Sequence, residues 1–107
     1  MLPNVIIGTA TAGGTAIASA MVDDTWTQVK AQVVQFFAGD RDRQARIERW
    51  LDRSHAAAMA SDAGLRDRLT VLHAAVWTTA LEEVLAHHPE RVPQVTAFVQ
   101  QMQVGIG

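Results

Sequence analysis

Apolar residues recur along the chain at steps of three and four, the spacing that gives a helix one buried stripe. Trp26, Val29, Val33, Phe36 and Phe37 form the first such stripe, with Asp23 or Asp24 placed to cap its start. Ala38-Gly39 ends it, and Asp40 caps a second helix, DRDRQARIERWLDRSHAAAMAS, with Ile47, Trp50, Leu51, Ser54 and Ala58 on one side. After a break at Asp62-Ala63-Gly64, the residues Leu65, Leu69, Leu72, Val76, Ala80 and Val84 line a long helix to about His87. Pro89 stops that helix and starts a short last one carrying Val92, Val95, Phe98, Val99 and Met102.

The stretch before these helices, NVIIGTATAGGTAIASAM, follows a different pattern. It is apolar or small throughout, and Met1–Val22 holds no Asp, Glu, Lys, Arg or His. Its glycines, Gly8-Thr-Ala-Thr-Ala-Gly13-Gly14-Thr15, come close to the spacing of a phosphate-binding loop, but Gly14 stands where the phosphate-reaching lysine belongs. Ala18-Ser19-Ala20 resembles a signal-peptidase site, yet no basic residue precedes the apolar run. As a membrane span it is long enough but diluted by Thr9, Thr11, Thr15, Ser19 and three glycines. Small residues recur four apart in two ladders, Gly8/Ala12/Ala16/Ala20 and Ala10/Gly14/Ala18, which suits close helix packing. Gly13-Gly14 weakens the helix by about 1 kcal/mol per glycine relative to alanine. Two readings stay open: the core helix of a soluble bundle, or a helix that enters a membrane as part of an oligomer.

The fold expected is all-α: a compact four- to five-helix bundle in a single domain, with residues 1–22 as the hydrophobic N-terminal helix and 23–104 as the charged bundle. Short connections imply antiparallel neighbours. Net charge is −2, without the basic excess that nucleic-acid binding needs. The absence of cysteine excludes disulfides, thiolate metal sites and thiol catalysis. Arg outnumbers Lys eight to one, a bias of GC-rich, actinobacterial genomes.

Candidate chemistry is sparse. His87-His88 point about 100° apart on a helix and make a poor joint metal site; a histidine at the helix C-terminus suits the dipole better. His55 and His73 stand alone, and Ser54-His55 are mere sequence neighbours. Arg46, Arg49 and Arg53 could meet phosphate or anionic lipid, but Asp42, Glu48 and Asp52 interleave with them, so self-paired surface charge is expected. Trp26, Trp50 and Trp77 read as core anchors. No acid, base and nucleophile converge, so no enzyme, cofactor or metal is expected.

Taken together, the uncharged N-terminus (NVIIGTATAGGTAIASAMV), the helix DDTWTQVKAQVVQFFAGD, the Arg/Asp-rich helix, the Trp-bearing LHAAVWTTALEEVLAHHPE and the tail helix resemble Bell domains. These are bacterial cell-death effectors analogous to fungal HeLo domains and to the four-helix executioners of necroptosis. The resemblance implies a membrane-permeabilising executioner in bacterial immunity, with Leu2, Val5, Ile6, Ile7, Gly8, Gly13, Gly14 and Ile17 inserting into lipid. It implies membrane lipids as partners, self-association on activation, and an NLR-type receptor acting through an amyloid motif that this chain lacks. It further implies a cytoplasmic resting state and the inner face of the cell membrane on activation. The alternative is a soluble adaptor or oligomerisation module whose first helix is core or interface.

Overall fold

The computed structural model describes residues 3–106, with side chains placed for 3–103. Among the described residues five α-helices follow one another: α1 (Asn4–Ala20), α2 (Trp26–Gln35), α3 (Arg41–Ala60), α4 (Ala63–His87) and α5 (Val92–Ile106), the last entered through a 3-10 turn at Pro89–Arg91. Among the described residues there is no strand. The all-α bundle is thus as the pattern predicts.

Helix ends follow from local chemistry. The Asp40 carboxylate accepts from the backbone N–H of Arg43 at 3.1 Å, and Asp62 accepts from that of Leu65 at 2.8 Å, so both act as N-caps. Asp23 differs from the expectation. Its carboxylate accepts from the N–H and the hydroxyl of Thr25 at 2.9 and 2.8 Å, shaping the turn before α2 rather than capping the helix. Those two bonds, the backbone one foremost, hold the Asp23 carboxyl below its ordinary range. Past α2, Gly39 turns the chain with φ +112°, a conformation that L side chains rarely adopt. Arg91 secures this corner, donating to the carbonyls of Phe36 at 2.8 Å and Ala38 at 2.7 Å. The freed carbonyls at the end of α2 are thereby satisfied from the far end of the chain.

α1 lies most extensively against α4, and α5 and α2 also pack on it. The α1–α4 approach is close because it is made of small residues. A Cβ built on Gly14 would stand 2.6 Å from the backbone N of Thr78 and 2.8 Å from the carbonyl of Ala74, and would run into the Thr78 hydroxyl. Beside it, Gly13 faces the side chains of Leu81 and Val95. At the other end, His55 of α3 stacks on Trp26 at 5.1 Å and donates through Nδ1 to the Met21 carbonyl at 2.7 Å, fastening the α1–α2 corner to α3. α3 and α4 run antiparallel, with Trp50 against Trp77 and Arg43 bridging to Glu83 at 3.2 Å.

The core gathers the whole predicted stripe of α2, together with Ile6, Ala10 and Ile17 of α1 and Leu51 of α3. Phe36 meets Phe98 of α5 edge to face at 5.4 Å. α4 departs from expectation. Its buried residues are Trp77, Leu81, Val84 and Leu85, whereas Leu65 and Leu72 of the predicted stripe are exposed, as is Val71. Among the described residues α4 is also the helix long and apolar enough to cross a membrane by length and composition; α1 is not.

Candidate functional site

The two small-residue ladders of α1 prove to face different surroundings. Ala10, Gly14 and Ala18 are buried, Gly14 directly against α4. Gly8, Ala12 and Ala16 look instead into a groove beside α5, and only Ala20, at the end of that ladder, is buried. Thr11, Thr15 and Ser19 complete the α1 wall; Val99, Met102 and Gln103 form the α5 wall. The groove is about 540 Å³, and among the described residues no charged side chain lines it. A Cβ added at Gly8 would meet none of the described residues within 4 Å, so the floor is open there. A channel of Gly, Ala and Thr between two helices admits another helix at close backbone distance. The ladder Gly8/Ala12/Ala16 is legible in the sequence; its opposite wall, some eighty residues later, is not.

The residues assigned to membrane insertion scatter. Ile6, Gly13, Gly14 and Ile17 are buried in the bundle, while Val5, Ile7 and Gly8 are exposed. Leu2 lies outside the described residues. The glycines that imitate a phosphate loop are helical throughout.

The arginine helix reads differently from expectation. Glu48 and Asp52 turn to Lys30 on α2, at 3.9 and 2.9 Å, rather than to the arginines of their own helix. Among the described residues Arg46, Arg49 and Arg53 have no ion-pair partner, and they flank Trp50, which is 43% exposed rather than a core anchor. Trp26 and Trp77 are core residues, the Trp77 indole N–H having no acceptor among the described residues. His87 and His88 serve local structure. His87 donates to the Glu83 carbonyl at 2.9 Å, and His88 meets Glu90 at 3.1 Å, so the adjacent pair is used in two separate places. The Glu90 carboxyl is held low by its own backbone N–H and by His88. His73 is pushed below its ordinary value by desolvation.

No curated protein and no solved structure matches the chain. A family model does: ubiquinol–cytochrome C chaperone, over residues 8–104. That match overturns the resemblance to Bell and HeLo domains and with it the reading of a pore-forming executioner in bacterial immunity. Membrane lipids, clustering on activation, an amyloid motif and an NLR-type receptor fall as partners for the same reason, and the adaptor alternative gains no support. Part of the glycine signal in α1 has another physical source: Gly14 is what close packing on α4 requires. A match spanning nearly the whole length of the bundle shows that the chain belongs to the ubiquinol–cytochrome C chaperone family.

Proposed function

We propose that this protein assists assembly of the ubiquinol–cytochrome c reductase by holding an apolar helix of one of its subunits in the α1–α5 groove. The observation that carries the reading is the family match over residues 8–104. The groove supplies a physical means. Ubiquinol is a lipid-soluble quinol, so an enzyme that oxidises it works in the membrane and its subunits carry apolar helices. Before assembly such a helix has nothing to pack against, and exposed apolar surface drives aggregation. An uncharged channel floored by Gly8 and Ala12 accepts a helix by close van der Waals packing without imposing a charge on it. Of the hydroxyls on its wall, that of Thr11 already donates to the Ile7 carbonyl at 2.9 Å. Holding and release need no bond-making step, so the reading is of a non-catalytic assembly factor. A cytoplasmic protein working at the inner face of the membrane fits it.

The test is complementation of a strain lacking the gene, read as ubiquinol-dependent cytochrome c reduction in isolated membranes. The wild-type gene restores activity. Ala12→Trp, which fills the groove from an exposed position, leaves the protein folded and soluble but restores less than half of that activity. Full restoration by a stably expressed Ala12→Trp protein would remove the groove from the function; no loss of reductase on deleting the gene would remove the assembly role itself.

A further inference from the structure

We propose that the arginine face of α3 is a second docking site, for an acidic polypeptide segment that seats an apolar side chain on Trp50. This surface lies on α3 and α4 and does not depend on the α1–α5 groove. Arg46, Arg49 and Arg53 surround Trp50 in a shallow depression of about 380 Å³. From it the surface continues into a hollow of about 330 Å³ between α3 and α4, floored by Ile47, Val76 and Ala80.

Three observations point to a bound anion-bearing chain. The first is charge: a protein of net charge −2 concentrates three guanidinium groups here. The acids that would neutralise them, Glu48 and Asp52, are drawn to the opposite side of α3 by Lys30. The second is Trp50. This residue is 43% exposed, yet its ring is supported by Trp77 at 4.9 Å, so it offers a rigid apolar platform with little mobility left to lose on binding. The third is geometry. Arg43 is tied to Glu83 at 3.2 Å and lies over the Phe37 ring, which closes one end of the hollow and leaves the other three arginines available.

The chemistry favours carboxylates on a polypeptide. Guanidinium forks bind carboxylates with two parallel hydrogen bonds, and an apolar hollow beside them takes a neighbouring side chain of the same segment. A nucleic acid or an anionic membrane presents a continuous charged surface, and Glu83, on the wall of the hollow, would oppose it.

The experiment uses the full chain and a short fluorescein-labelled peptide of alternating Glu and Leu around a central Trp, followed by anisotropy at low salt. Its counterpart carries Gln for every Glu. Vesicles of phosphatidylglycerol and an oligouridine run in parallel. The Glu peptide binds, the Gln peptide binds at least about tenfold more weakly, and added salt erodes the difference. Arg49→Gln/Arg53→Gln weakens the Glu peptide by about tenfold while circular dichroism is unchanged. Trp50→Ala weakens both peptides, and the arginine pair carries the test should loss of the Trp77 contact unfold that variant. Equal binding of the two peptides, or wild-type binding by the folded arginine variant, overturns the proposal. Tighter binding of oligouridine or of vesicles than of the Glu peptide overturns it too.

Discussion

Gly8, Gly13 and Gly14 are one residue type in three surroundings, and they predict three different outcomes for the same substitution. Gly8→Ala adds a methyl in open space and removes a helix-weakening residue, so it stabilises by about 1 kcal/mol. Gly13→Ala meets the ends of the Leu81 and Val95 side chains at 2.7 and 3.0 Å, which can yield, and its cost and its helix gain nearly cancel. Gly14→Ala meets backbone of α4 that cannot yield, and costs about 3 kcal/mol. Thermal melts order the three as Gly8→Ala above wild type, Gly13→Ala near it and Gly14→Ala well below. A Gly14→Ala melt equal to wild type would mean that α1 and α4 are not in the close contact described.

Among the elements, α4 is held unevenly. Its buried residues begin at Trp77, whereas Val71 is 70% and Leu72 60% exposed. The hairpin joining α3 to α4 depends on polar fastening instead: the Asp62 cap and Arg66, which donates to the carbonyls of Ala58 at 3.2 Å and Ser61 at 3.1 Å. Amide hydrogen exchange is therefore expected to be fast over 65–72 and slow over 77–85, and Asp62→Ala, costing about 1 kcal/mol, speeds the first group further. Uniform protection along α4 would contradict this.

The same helix marks the limit of what the sequence discloses. The Asp40 cap, the Gly39 turn, the break at Asp62-Ala63-Gly64, the Pro89 entry and the stripe of α2 are local signals, and the structure keeps them. Which apolar residues of α4 are covered depends on where α1 approaches, at Ala74 to Leu81, and no pattern within α4 records that. The groove divides the same way. Its α1 wall is written as a four-residue ladder, while Val99 and Met102 join it through tertiary packing alone. Lys30 likewise takes Glu48 and Asp52 from their arginines across a helix boundary, where spacing within α3 pointed to self-pairing.

For the whole molecule, acidity is a lever on stability. Desolvation lowers the pKa of His73 below its ordinary 6.5, so the folded state disfavours the charged imidazole. The unfolded chain then binds the proton first as pH falls. The stability contributed by neutral His73 is complete above about pH 6.5 and is lost progressively as pH drops toward the lower folded value. Urea midpoints measured from pH 7.5 down to 5 decline for the wild type, and His73→Gln flattens part of that decline. An identical slope in the variant would assign the loss to other groups.

The open floor at Gly8 carries a consequence for the history of the family. Nothing among the described residues prevents a larger residue at position 8 or at the exposed position 12, and helix propensity alone would drive glycine out of position 8 over time. Position 14 is confined by its own backbone neighbours whatever the protein does. Across related sequences, drift at 8 and 12 beside an invariant 14 would record a helix shaped by folding alone. Persistent small residues at all three would record the passage of something that no single chain contains.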